Sequence, residues 1–184
     1  MIKIDTIHQD TRREFAKLTI GDSILLSGTV YTARDAAHKK LHDLIKKNEP
    51  LPFPLRDAII YYAGPTPAKN GLAVGSCGPT TSARMDMYTP ELLDLGLLAT
   101  IGKGERDQTV VQACKRNGCL YLCAIGGAGA LASQSITQSQ IIAFDELGCE
   151  SIKKFTIKDF PLTVAIDSTG NNLFNNRYKE GSTC

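Results

Sequence analysis

Gly75-Ser-Cys-Gly-Pro-Thr-Thr-Ser-Ala-Arg-Met-Asp86 is the stretch on which the reading of this chain turns. The apolar run Gly71-Leu-Ala-Val-Gly75 leads into it and reads as a strand, and Gly78-Pro79 then breaks the chain. Proline is favoured at a first helical position because its missing N–H would go unpaired there anyway, so a helix is expected from Pro79 or Thr80. Thr80 and Arg84 would then lie four apart on one helix face. The free N–H groups and dipole of a first turn attract an anion. A hydroxyl, a guanidinium and a helix end would converge on one point, a site for a carboxylate or a phosphate. The alternative is a plain strand–turn–helix whose Thr and Ser side chains only cap the helix.

Outward from this motif, short strands alternate with short helices. Upstream, residues 2–4 read as a strand, 10–18 as a polar helix, 19–22 as a turn and 23–31 as a β-rich strand. A helix follows to about residue 47, with Thr32 as its N-cap and Leu41, Leu44 and Ile45 as its buried stripe. Three prolines make 48–54 a loop, and 57–63 is a strand stopped by Gly64-Pro65-Thr66-Pro67. Downstream, Thr89 caps a helix with Pro90 at its first position, and Gly96 stops it. Residues 97–101 form a strand, 107–116 a helix ended near Gly118, and 119–125 a strand; 140–144 and 156–167 supply the last strands. Residues 171–184 are expected to be a flexible tail. The pattern is a single α/β domain over 1–184, with a mixed sheet and short flanking helices. Ligands collect outside the carboxyl ends of strands in such sheets, so Arg34, Thr80, Arg84 and Lys103 are expected on one rim.

Composition narrows the partners. The chain has 184 residues, 42% apolar and 22% charged, with a net charge of +2, so one domain with a sizeable core is expected. No basic block stands out, which argues against nucleic acid or an anionic membrane as the main partner. The first residues lack an apolar signal region, and no apolar run is long enough to span a bilayer. Six cysteines in a chain this long do not make a disulfide scaffold, so a cytoplasmic setting is expected.

Three rival motifs weaken on inspection. Gly96-Leu-Leu-Ala-Thr-Ile-Gly102-Lys103-Gly104 has five residues between its first glycines where a phosphate loop has four, and Gly104 stands where Ser or Thr would hold magnesium. Gly127-Ala-Gly129-Ala-Leu-Ala132 matches a dinucleotide fingerprint, with Asp145 and Glu146 after the next strand, but little chain remains for a βαβαβ half. It stays open as a tight strand–helix turn or a dinucleotide- or anion-binding module. Cys119 and Cys123 in one strand would lie about 13 Å apart, too far to share a metal ion. Cys114, Cys119 and Cys123 read as small buried thiols; Cys77 is either packed or reactive. His38 and His42 are four apart without a third ligand, so His38 is expected to be hydrogen-bonded and His42 exposed. No metal site is expected on this chain.

Taken together, Ser27-Gly-Thr-Val-Tyr-Thr-Ala-Arg-Asp-Ala-Ala-His38, Tyr62-Ala-Gly-Pro65, Gly78-Pro-Thr-Thr-Ser-Ala-Arg-Met-Asp86, Ile101-Gly-Lys-Gly104 and Val164-Ala-Ile-Asp-Ser168 resemble the class I iron–sulfur fumarate hydratases. The resemblance is to their C-terminal domain, or to the β subunit where the enzyme is split over two chains. Several ordered motifs agree, which makes it specific. It implies a swivelling β/β/α-type domain that takes part in reversible hydration of fumarate to (S)-malate. It implies a [4Fe-4S] cluster ligated by a partner α subunit and not by this chain, and a higher heteromer or a homodimer through this domain. By the same resemblance Arg34, Arg84 and Lys103 bind the substrate carboxylates and Thr80 is the catalytic base. Asp35, His38 and Thr81 support that set. Tartrate dehydratase β subunits are related. They tend to carry cysteines flanking the Arg-Asp motif, where Ala33 and Ala37 stand here, which favours fumarate. The residues agree independently: three fixed cations suit a dianion, and the chain lacks a ligand set for the electrophile that hydration needs.

Overall fold

A computed structural model describes residues 1–8, 10–68, 71–124 and 129–177. Its framework is one mixed sheet of seven strands: β1 (Ile2–Asp5), β2 (Ser23–Thr32), β3 (Ile59–Tyr61), β4 (Ala99–Gly102), β5 (Leu120–Cys123), β6 (Ile136–Ala143) and β7 (Ile152–Ile166). The helices are α1 (Thr11–Phe15), α2 (Asp35–Lys46), α3 (Thr89–Asp94), α4 (Gln108–Asn117), α5 (Gly129–Gln134) and α6 (Leu173–Arg177).

Strands β2, β3, β4 and β5 are parallel neighbours in that order. β7 closes them into a ring, because it runs antiparallel to both β5 and β2. β1 and β6 are added outside the ring, on β2 and β7. The alternation of β2 puts Ile24, Leu26 and Val30 on one face. With Tyr61, Ile101, Leu122, Phe155 and Phe160 they fill the inside of the ring. β3 and β4 are buried on both faces, as crossover-linked parallel strands must be. Their other face, including Ile60, packs with Tyr62 and Tyr121 against Leu41 of α2, Leu92 of α3 and Val110 of α4.

Local chemistry explains most ends. Asp107 caps α4 by accepting the Val110 N–H at 3.0 Å, and Gly118 ends it at φ 63°, a left-handed position that suits glycine. Asp10 caps α1 through the Arg13 N–H. Residues 171–177, where the tail was expected to begin, are anchored: Asn171 donates to both Asp167 oxygens before α6. Residues 178–184 lie outside the described residues.

Four expectations are corrected. Residues 71–75 form no strand. The segment pairs only locally, Gly75 N–H to Thr66 O and Thr66 N–H to Ser76 O. No helix starts at Pro79 or Thr80. Pro79 bridges Ala63, the Thr80 N–H donates to Tyr62 O at 2.7 Å, and Ser82 N–H donates to Lys103 O. The backbone is thus held extended between the ends of β3 and β4, and only a 3₁₀ turn, Ser82–Met85, remains. Thr32 does not cap α2. It is the last residue of β2, its hydroxyl takes the Lys153 N–H at 3.0 Å, and Arg34 is the cap residue. β6 begins at Ile136 and β7 at Ile152, both earlier than expected, because the two pair with one another along that length.

Candidate functional site

The four parallel strands all end at one rim. Arg34 follows β2, Lys103 follows β4, and the extended segment carrying Thr80 and Thr81 is threaded between β3 and β4. β7 runs antiparallel to β2, so the 3₁₀ turn Asp145–Glu150 that precedes it reaches the same rim. The structure therefore gathers Arg34, Thr80, Arg84 and Lys103 at one end of the ring, as expected, although by threading rather than by a helix. Thr81 is exposed, and its backbone bridges Lys103.

Carboxylates of the same chain already hold the two arginines. Arg84 Nη2 lies 2.8 Å from Asp35 Oδ2, and Arg34 Nη2 lies 3.4 Å from Glu150 Oε1. Glu150 Oε2 also accepts the Ala36 N–H in the first turn of α2, at 3.1 Å. Arg34 is confined on its other side by Gly64, where a Cβ would sit 2.9 Å from Nη1. Arg34 Nε is buried without a hydrogen-bond acceptor.

His38 stands behind this pair. It is fully buried, and Nδ1 lies 2.9 Å from the Arg34 carbonyl. A carbonyl only accepts, so Nδ1 carries the proton and Nε2, buried and unpartnered, is bare. Burial pushes its pKa down to about 4. His42, expected to be exposed, is half-buried and meets Glu91 at 2.6 Å.

Below the rim lies a buried arginine that the motif pattern did not single out. Arg106 Nε donates to Asp86 Oδ1, and its other nitrogens reach Thr100, Thr89 and Tyr62. Burial works against its charge, but the Tyr62 oxygen and the Asp86 carboxylate outweigh it and hold the pKa above the ordinary arginine range. Its place three residues after Lys103 was the available signal. Glu150 had none, since it lies 114 residues from Ala36. Lys153, also missed, is buried; its ammonium donates to the carbonyls of Gly148, Cys149 and Ser151 and to Ser151 Oγ. Burial lowers its pKa, and the contacts fix the turn that carries Glu150.

Among the described residues three cysteines are packed, whereas Cys123, expected to be a buried thiol, is only partly so, and Cys149 is exposed. Cys77, Cys114 and Cys119 are buried, and burial pushes their thiols up to about 12, about 12 and about 11. Such thiols resist the deprotonation a metal ligand needs. Among the described residues no three His, Cys, Asp or Glu side chains converge as a metal site. Gly127 and Ala128 of the dinucleotide-like stretch lie outside the described residues. Among the described residues no helix is long and apolar enough to cross a membrane.

Comparison with known proteins gives this rim a family. The chain is 41% identical over 169 residues to fumarate hydratase 2 of Leishmania major, covering 89% of this chain and 29% of that protein. It is 40% identical over 163 residues to the aerobic class I fumarate hydratase of Escherichia coli strain K12, covering 88% of this chain and 30% of that protein. A protein of Methanocaldococcus jannaschii provisionally named L(+)-tartrate dehydratase subunit beta is 39% identical over 175 residues, covering 92% of this chain and 90% of that protein. The chain thus spans less than a third of the length of the fumarate hydratases it matches. The family model described as fumarase C-terminus matches residues 1–177, and the chain belongs to that family.

Proposed function

We propose that this chain is the β subunit of a class I fumarate hydratase, a hydro-lyase that interconverts fumarate and (S)-malate when paired with a cluster-bearing α subunit. The observation that carries it is the rim itself: Arg34, Arg84 and Lys103, on three different segments, brought to one end of a family-matched fold. In this reading the domain is of the swivelling β/β/α type and closes over the substrate, and the assembly is a higher heteromer or a homodimer through this domain. It works in the cytoplasm.

The three cations bind and orient the dicarboxylate. Each charge-assisted hydrogen bond contributes about 1.5–3 kcal/mol. Asp35 and Glu150 hold the arginines in place until substrate carboxylates take over. Thr80 Oγ1 removes the C3 proton of malate in dehydration and returns it in hydration. A threonine hydroxyl is a poor base, so the step depends on Arg84 and Lys103 stabilising the alkoxide in a site closed to water. A four-residue 3₁₀ turn adds little dipole, so these cations carry that task alone. A [4Fe-4S] cluster held by the α subunit would supply the Lewis acidity that departure of the malate hydroxyl needs. Cys77, Cys114 and Cys119, buried with thiol pKa values pushed up, fit a cluster ligated elsewhere.

The relative provisionally named as a tartrate dehydratase β subunit, matched over 90% of its length, favours a second reading, a hydro-lyase for a hydroxylated diacid such as L-tartrate. Ala33 and Ala37, both buried beside the Arg-Asp motif, favour fumarate. The experiment is anaerobic co-expression with the α chain, then assays on fumarate, mesaconate and tartrate. Fumarate hydration at the highest kcat/KM is expected; turnover of tartrate alone selects the second reading, and turnover of none rejects both.

A further inference from the structure

The substrate reading leaves Arg106 without a task, and its surroundings ask for one. Its side chain is 0% exposed. Nε donates to Asp86 Oδ1, Nη1 to Thr100 Oγ1 at 3.2 Å, and Nη2 to Thr89 Oγ1 at 2.7 Å and the Tyr62 hydroxyl at 3.4 Å. The rings of Tyr62 and Tyr121 stand 5.3 and 4.9 Å from the guanidinium carbon. The second Asp86 oxygen accepts the Asp107 N–H at 2.7 Å. A buried ion pair is weak evidence for stability, since well-packed apolar residues often serve as well. What this pair does is join two turns by their side chains. Asp86 lies two residues beyond Arg84, and Arg106 three beyond Lys103. Ser82 makes a second tie, accepting the Lys103 N–H at 3.0 Å and the Tyr121 hydroxyl at 2.9 Å.

We propose that Arg106 is a positioning residue: by clamping Asp86 it fixes the spacing between Arg84 and Lys103, and so sets how tightly the rim grips a dicarboxylate. The substrate named here rests on the hydro-lyase reading; the clamp does not. The planar fork matters, because one guanidinium serves four oxygen partners and two ring faces at once.

Two measurements test it. In the full chain assembled with its α subunit, Arg106→Gln should raise the KM for fumarate and the inhibition constant of succinate at least tenfold, with circular dichroism and partner binding retained. Arg84→Ala combined with Arg106→Gln should then lose clearly less than the product of the two single losses, since both act on the same pair of cations. Multiplying losses would mark Arg106 as merely structural and overturn the proposal. In the isolated full chain, amide exchange at Lys103 and Asp107 should quicken at least tenfold in Arg106→Gln, while Ile101 and Leu122 keep their rates. Unchanged exchange at Asp107 overturns the clamp whatever the assay gives. If the wild-type assembly fails to turn over any diacid, the hydro-lyase reading falls and the exchange result still decides the clamp. Should Arg106→Gln not fold, Arg106→Lys repeats both measurements; if neither folds, the residue is structural and the proposal fails.

Discussion

At the rim, two of the three cations proposed to meet substrate are already engaged by carboxylates of their own chain. Arg84 rests on Asp35 and Arg34 on Glu150, so a diacid must exchange partners rather than fill bare charges. Thr80 is set apart from this exchange, because its fixed contact is through the backbone N–H to Tyr62 O. In the assembled enzyme, Thr80→Val should keep succinate inhibition near wild type while losing about 10²–10⁴-fold in turnover, together with exchange of the malate C3 hydrogen in deuterated solvent. Surviving exchange with collapsed inhibitor affinity would make Thr80 a binding residue. His38 gives a prediction of another kind. Burial holds its folded pKa at about 4, below the ordinary 6.5. As pH falls, the unfolded chain takes the proton first. The contribution is therefore complete above about pH 6.5 and is lost progressively towards pH 4, to the extent of about 3 kcal/mol. Urea unfolding at pH 7, 6, 5 and 4.5 should show this slope, and His38→Gln should flatten it; parallel curves for the two proteins would refute the assignment.

Among the elements, the threaded segment at 79–82 is the one on which the rim depends. It occupies the space between the ends of β3 and β4 that further strand pairing would fill, and it fits only because Gly102 has no side chain. A Cβ there would stand 1.9 Å from Ser82 Oγ and 3.0 Å from Tyr62 Cδ2. Since Ser82 Oγ is the acceptor for the Lys103 N–H, the clash falls on the bond that seats Lys103. Gly102→Ala should cost about 1–3 kcal/mol in urea unfolding, as overpacking commonly does. It should also weaken succinate inhibition of the assembly. Wild-type stability and inhibition in this variant would show that the segment yields freely.

For the whole molecule, closure of the ring by β7 brings the turn at 145–150 to the end where β2, β3 and β4 stop. The result is a rim that carries Arg34, Arg84 and Lys103 beside Thr80; among the described residues no three His, Cys, Asp or Glu side chains converge as a metal site. The isolated chain, reconstituted with iron and sulfide, should stay colourless and leave fumarate unchanged. Cluster absorbance with fumarate hydration by this chain alone would overturn its assignment as a β subunit.

Much of this was legible in the sequence, for reasons that are local. Turn residues and apolar runs placed β2, β3, β4 and β5, Asp107 and Gly118 bracketed α4, and the order of the motifs carried the resemblance to class I fumarate hydratases through Arg34, Thr80, Arg84 and Lys103. Those signals act over a few residues. The misreadings came where a distant strand took the backbone. Gly78-Pro79-Thr80 has the residues of a helix start, but the N–H groups of Thr80 and Ser82 are committed to Tyr62 O and Lys103 O, so the chain stays extended. Thr32 has the hydroxyl of a cap, yet Lys153 of β7 claimed it. Glu150, Lys153 and the Arg106–Asp86 clamp also belong to pairings across 20 to more than 100 residues. The sequence by itself determined which chemical groups the rim would have; only the tertiary structure decided what each is tied to, because burial and long-range hydrogen bonds choose among partners that local spacing leaves equal.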